Sequence, residues 1–165
     1  EIPMRKVAIV MGSKSDFESV LPAKKTLDNL GIAADVMIMS AHRTPKEVEE
    51  FSVNAETDGY GVIIAAAGKA AHLAGVIAAN TVLPVIGIPM KSSTLDGLDS
   101  LLSTVQMPSG IPVATVAISG SENAALLAAE ILAVGSPELT DKLKKLRIQM
   151  KEKILSDNEA IQNLI

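Results

Sequence analysis

The chain contains no cysteine and no tryptophan, two phenylalanines and one tyrosine. Without cysteine there can be no disulfide, no thiolate nucleophile and no thiolate metal site, and a reducing cytoplasm is the expected setting. Aromatics make up 2% of the residues, namely Phe17, Phe51 and Tyr60, which leaves little to stack a flavin or single-stranded bases. No long basic run occurs; 15 Lys+Arg against 19 Asp+Glu give a formal charge of −4, which argues against broad nucleic-acid binding. The two histidines, His42 and His72, stand outside any HxxxH or HExxH pattern, so no metal site is expected. A GxSxG nucleophile elbow is also missing. The apolar segments are broken by Gly, Pro and charge before they reach a membrane-spanning length, and Glu1 to Lys6 lacks the pattern of a signal peptide.

What the chain does have is apolar surface. Hydrophobic residues make up 48% of 165 and mean hydropathy is +0.33. That suits one domain over 1–165, with a core at about 5–135 and a C-terminal helical extension at about 136–165. The excess also predicts a homo-oligomer, because so much apolar surface needs covering. Short apolar runs alternate with helical patterns. The runs are Lys6–Met11, Asp35–Met39, Gly61–Ala66, Leu83–Ile88 and Val113–Ile118, and they read as buried strands. Helices are expected at Phe17–Leu30, Lys46–Thr57, about Leu73–Asn80, Leu95–Val105, Ala124–Val134 and Glu138–Leu155, and Pro22 is expected to kink the first or mark its true start. This alternation implies an α/β fold with a parallel doubly wound sheet, strand order 2-1-3-4-5, and a ligand site at the carboxyl edge between the first and third strands. The last helix has no sheet face left to cover and is expected to pack on a neighbouring subunit.

Three turns meet at that edge. Gly12-Ser13-Lys14-Ser15-Asp16 sets glycine and two serines at a helix start, where free N–H groups favour a phosphate and Asp16 suits ribose hydroxyls. The same residues also read as a plain cap, with Ser15 and Asp16 opening the helix. Ser40-Ala41-His42-Arg43-Thr44-Pro45 places a group that titrates near neutrality beside a planar cation and two hydroxyls. Its plain reading has Thr44 as N-cap and Pro45 at the first helical position. Arg43 at a helix amino end is poorly placed unless an anion bridges it to the helix. In the third turn, Ala67-Gly68-Lys69-Ala70-Ala71-His72-Leu73, small side chains would let backbone approach a flat ring, or would simply serve close packing. His72 reads as a possible catalytic group or as a helix-start histidine satisfying a carbonyl.

The segments VAIVMGSKSD, SAHRTP, AAAGKAAHL, LPVIGIP, LDGLDSLLSTVQMPSGIPVATVAI and NAALLAAEIL, taken in order, resemble the class I PurE family of N5-carboxyaminoimidazole ribonucleotide mutases. The resemblance runs from Lys6 to about Leu155. It implies a flavodoxin-like three-layer sandwich, an octamer with exchanged C-terminal helices, and a reaction needing no cofactor. It implies substrate binding by Ser13, Asp16, Ser40 and Arg43, catalysis by His42, and a wall around the reacting imidazole from Gly68, Lys69, Ala70, His72 and Leu73. The implied chemistry moves a carboxylate from the exocyclic nitrogen to ring C4 in purine biosynthesis. Relatives that carboxylate aminoimidazole ribonucleotide with free carbon dioxide differ after the third strand. Two positions depart from the class I pattern. Lys69 stands where the family usually has Gly, and Ala74 where it usually has Pro. If position 69 needs a positive φ, lysine costs roughly 1 kcal/mol there. A carboxylase of the same nucleotide, or a nucleotide-binding module without activity, are the competing readings.

Overall fold

The computed structural model describes residues 4–164, so the first three residues of the opening segment lie outside the described chain. Five parallel strands form one sheet in the order β2-β1-β3-β4-β5. They are β1 (Lys6–Met11), β2 (Ala34–Ile38), β3 (Tyr60–Gly68), β4 (Val85–Met90) and β5 (Ala114–Thr115). The helices are α1 (Phe17–Asn29), α2 (Pro45–Asn54), α3 (Leu73–Ala79), α4 (Leu98–Val105), α5 (Ser121–Ala133) and α6 (Pro137–Gln162).

Strand β1 shows how the layers are built. Its side chains alternate between faces. Val7, Ile9 and Met11 join one core with Val20, Ala23 and Leu27 of α1 and Ala124, Ala125, Ala128 and Ala129 of α5. Ala8 and Val10 join the other, with Val48 of α2 and Leu73, Ala74 and Ile77 of α3. A strand covered on both faces has no place for polar residues, which is why β1 reads as an unbroken apolar run.

Some expected boundaries move. The strand expected at 35–39 is not buried; β2 is an edge strand, and Val36 and Ile38 are exposed because one flank has no neighbour. The fourth strand lies two residues later than expected and carries Pro89, whose missing N–H is tolerated opposite Ala67. The fifth shrinks to two residues, since only Ala114 and Thr115 pair with β4. Helix α4 starts at Leu98 rather than Leu95 because Asp96 and Gly97 take φ values of 54° and 101°. Pro22 does not mark a helix start; α1 begins at Phe17, after a short 3-10 turn at Lys14–Asp16, and continues past the proline. Ser136 caps α6 by accepting the Leu139 N–H, and Pro137 occupies its first turn. The base of α6 packs within the chain through the fully buried Leu139, while Ile154, Leu155 and Ile161 farther along it are exposed. Among the described residues, no helix is long and apolar enough to cross a membrane.

Candidate active site

The turn after β2 is closed on itself. Ser40 N–H donates to Thr44 Oγ1 at 2.9 Å, Thr44 Oγ1 donates to the Ser40 carbonyl at 3.1 Å, and Thr44 N–H reaches the same carbonyl at 2.8 Å. Thr44 is the N-cap position of α2, as expected, but its hydroxyl makes no cap bond to the helix. It cinches the turn instead, and His42 and Arg43 project from the cinched segment.

Each of those two side chains crosses to a different loop. Arg43 Nη2 donates to the Gly12 carbonyl at 3.0 Å, after β1, and its Nε and backbone N–H both point at Ser40 Oγ, at 3.3 and 3.2 Å. His42 Nε2 lies 2.9 Å from His72 Nδ1, at the start of α3, with the rings edge-on at 79°. His72 therefore meets an imidazole, where a carbonyl was the plainer expectation. That contact holds one proton, donated by one ring and accepted by the other.

In the turn after β1, Ser13 caps the 3-10 turn by accepting the Ser15 N–H, and the two hydroxyls lie 2.9 Å apart. Asp16, not Ser15, is the N-cap position of α1, and its carboxylate makes no cap bond. Burial pushes the Asp16 carboxyl above its ordinary range, a carboxylate poorly served by protein donors.

After β3, Lys69 takes φ 56°, the left-handed conformation that the sequence raised as a possibility. A lysine there costs roughly 1–2 kcal/mol relative to glycine. Ala71 and His72 donate N–H bonds to the Lys69 and Ala70 carbonyls at 2.8 and 2.9 Å, which coils the turn tightly before α3.

These loops enclose one cavity of about 620 Å³. Ser13, Asp16, Ser40, His42, Arg43, Gly68, Lys69, Ala70, His72 and Leu73 all line it, so the residues that the family resemblance implied for the site share one space. Its volume suits a mononucleotide-sized ligand. Sequence reasoning missed one wall. Lys91, Ser92 and Ser93, after β4, also line the cavity. The polar break after an apolar strand was the available signal, and strand order places it beside the β3 turn. No group of three or more His, Asp or Glu able to hold a metal occurs among the described residues.

A sequence model of the AIR carboxylase family matches residues 6–153. The chain belongs to that family. It is 55% identical to the N5-carboxyaminoimidazole ribonucleotide mutase of Pyrococcus abyssi over 151 residues, covering 92% of this chain and 87% of the relative. Against the enzyme of that name from Thermotoga maritima it is 49% identical over 161 residues, covering 98% and 94%. Against that from Escherichia coli K12 it is 50% identical over 154 residues, covering 92% and 91%. The crystal structure of Treponema denticola PurE superposes with a TM-score of 0.85 at 32% identity, covering 93% of this chain and 96% of that one. The flavodoxin-like sandwich of the AIR carboxylase family is therefore the frame on which these loops sit.

Proposed function

We propose that the chain is an N5-carboxyaminoimidazole ribonucleotide mutase, an isomerase of purine biosynthesis, with His42 as its acid and base. The observation that carries this reading is the bridging turn. One cinched segment sends Arg43 to the β1 loop and His42 to the β3 loop across a single cavity. An anion-binding fork and a proton-transfer group are thereby held in one frame, as a phosphorylated heterocycle requires.

The phosphate binds to Ser13, Ser40 and Arg43, and Asp16 accepts bonds from the ribose hydroxyls. That binding, remote from the reacting atoms, fixes the imidazole against Gly68 to Leu73. The bond between the exocyclic nitrogen and the carboxylate carbon then breaks. Carbon dioxide departs, and the nitrogen takes a proton from His42. The electron-rich ring attacks the trapped carbon dioxide through C4, forming the new carbon–carbon bond. His42 removes the C4 proton, which restores the aromatic ring and returns the imidazole to its starting state. One proton enters and one leaves, as an isomerisation demands. His72 holds the His42 ring through the imidazole contact and sets its tautomer. The small residues Ala67, Gly68, Ala70 and Ala71 exclude water while the gas is free.

We read residues 1–165 as a single domain with a core at about 5–135, assembling as a homo-octamer through the exposed apolar faces and the extended α6. A cysteine-free chain suits the cytoplasm, where we place the reaction. The test is direct. Purified protein supplied with N5-carboxyaminoimidazole ribonucleotide should form 4-carboxy-5-aminoimidazole ribonucleotide without added cofactor. Turnover only when aminoimidazole ribonucleotide and carbon dioxide are supplied would make it a carboxylase, and binding without turnover of either would make it a nucleotide-binding module.

A further inference from the structure

Among the described residues, three that are not glycine hold a positive φ: Lys69, Asp96 and Ser119. Lys69 lines the cavity, and the other two contact Lys91, which also lines it. Asp96 pairs with Lys91 at 3.7 Å, and Ser119 Oγ accepts the Lys91 backbone N–H at 3.3 Å. Two of the three outliers thus contact Lys91. Lys69 differs. It lines the cavity, and its side chain enters no ion pair among the described residues. Aspartate tolerates the left-handed region through its short polar side chain, and lysine has no such compensation. Backbone strain of this kind persists where the surroundings impose it and clusters at ligand clamps.

The site therefore holds cations at both ends. Arg43 bonds to the β1 loop, and Lys69 leaves the end of β3, beside β4. On the mutase reading, on which this inference rests, substrate and product each carry two anionic groups, a phosphate and a carboxylate, the latter on the exocyclic nitrogen in one and on ring C4 in the other. The decarboxylated nucleotide between them carries only the phosphate. We propose that Lys69 is the residue that recognises the carboxylate, and that it makes the site prefer carboxylated to decarboxylated nucleotide. A lysine fits this task better than an arginine fork. Its ammonium is a point charge with rotatable donors on a flexible stem, and the carboxylate changes its point of attachment during the reaction. The preference also retains the intermediate's partner, because departing carbon dioxide is drawn back into a carboxylate beside a waiting cation.

The test is calorimetric titration with 4-carboxy-5-aminoimidazole ribonucleotide and with 5-aminoimidazole ribonucleotide, using wild type, Lys69→Met, Lys69→Gly and Lys69→Arg. Removing the charge should weaken the carboxylated ligand roughly tenfold and leave the decarboxylated one within about twofold. Lys69→Arg should restore most of the preference. Lys69→Gly should melt higher than Lys69→Met, because it relieves the backbone while lacking the same charge. Equal weakening of both ligands, or of neither, in a wild type that turns over substrate overturns the role of Lys69 alone. A wild type that binds neither nucleotide overturns this proposal together with the mutase reading.

Discussion

His42 and Arg43 are neighbours in sequence with different proposed tasks, and substitution should separate them. His42→Asn keeps a polar side chain of similar reach and removes the proposed proton carrier. It should bind product nucleotide normally and lose turnover by about two to four orders of magnitude, the usual scale of lost acid–base catalysis. Steady-state kinetics with a binding titration checks this, and near-normal turnover would remove His42 from the chemistry. Arg43→Ala should instead raise KM by roughly tenfold or more with a smaller effect on kcat, if Arg43 makes the charge-assisted phosphate contact proposed for it. Asp16 offers a test in pH. Burial raises its carboxyl in the folded state. Ionised Asp16 is thus worse off folded than unfolded, and the penalty develops as pH rises through the ordinary value of about 3.9 and is complete above the raised one. Asp16→Asn should accordingly raise the melting temperature by a few degrees at pH 7, leave it unchanged near pH 3, and weaken nucleotide binding at pH 7. Thermal melts at the two pH values, read beside a titration, check all three arms. Residue chemistry was the most legible layer of this site. A histidine beside an arginine in one strand-to-helix turn is a signal that a single sequence carries. What Thr44 does was not legible, because a threonine before Pro45 is an N-cap by local rules. Only the folded turn shows its hydroxyl spent on Ser40.

Elements were legible where a strand is covered on both faces and blurred where it is not. β1 and β3 are continuous apolar runs because α1 and α5 lie on one side and α2 and α3 on the other. β2 is also an apolar run apart from Asp35 and sits at the edge, so composition alone did not separate an edge strand from a central one. The start of α4 depends on left-handed backbone at Asp96 and Gly97, a property of the loop's path that helical periodicity does not encode. Helix packing against the sheet depends on one small residue in particular. A Cβ at Gly87, in the middle of β4, would run into Thr104 Cγ2 of α4 and come within 3.1 Å of Val113 Cγ1 and 3.4 Å of Ala74 Cβ. Gly87→Ala should therefore destabilise the protein by about 1–3 kcal/mol through overpacking, measured by denaturant unfolding. A neutral result would mean that α4 shifts freely, which its buried Ser100 bond to the Met90 carbonyl opposes.

The whole molecule leaves large apolar side chains exposed on two of its helices. Leu98, Leu102 and Val105 of α4 recur at i, i+4 and i+7 and are about half exposed. On α6, Met150, Ile154 and Ile161 share another stripe, on a helix of 26 residues that extends about 39 Å. If assembly covers that stripe, Ile154→Asp combined with Ile161→Asp should reduce the mass seen by light scattering while far-ultraviolet circular dichroism stays native. An unchanged mass would place the interface elsewhere. The excess was legible in composition, because alanine, valine and isoleucine beyond what one core holds must lie outside it. Which faces carry that excess was not, since it depends on which strand lies at the edge and where α4 begins.

The two imidazoles belong to loops leaving β2 and β3, and β1 runs between those strands. Neighbouring strands sit about 4.8 Å apart, so the rings lean toward each other over a gap of roughly 9.6 Å whose width is set by a strand contributing neither of them. Any fanning of the sheet at this end would part the rings while leaving the cores closed. Heating should therefore silence the enzyme at a lower temperature than the one at which its helices melt.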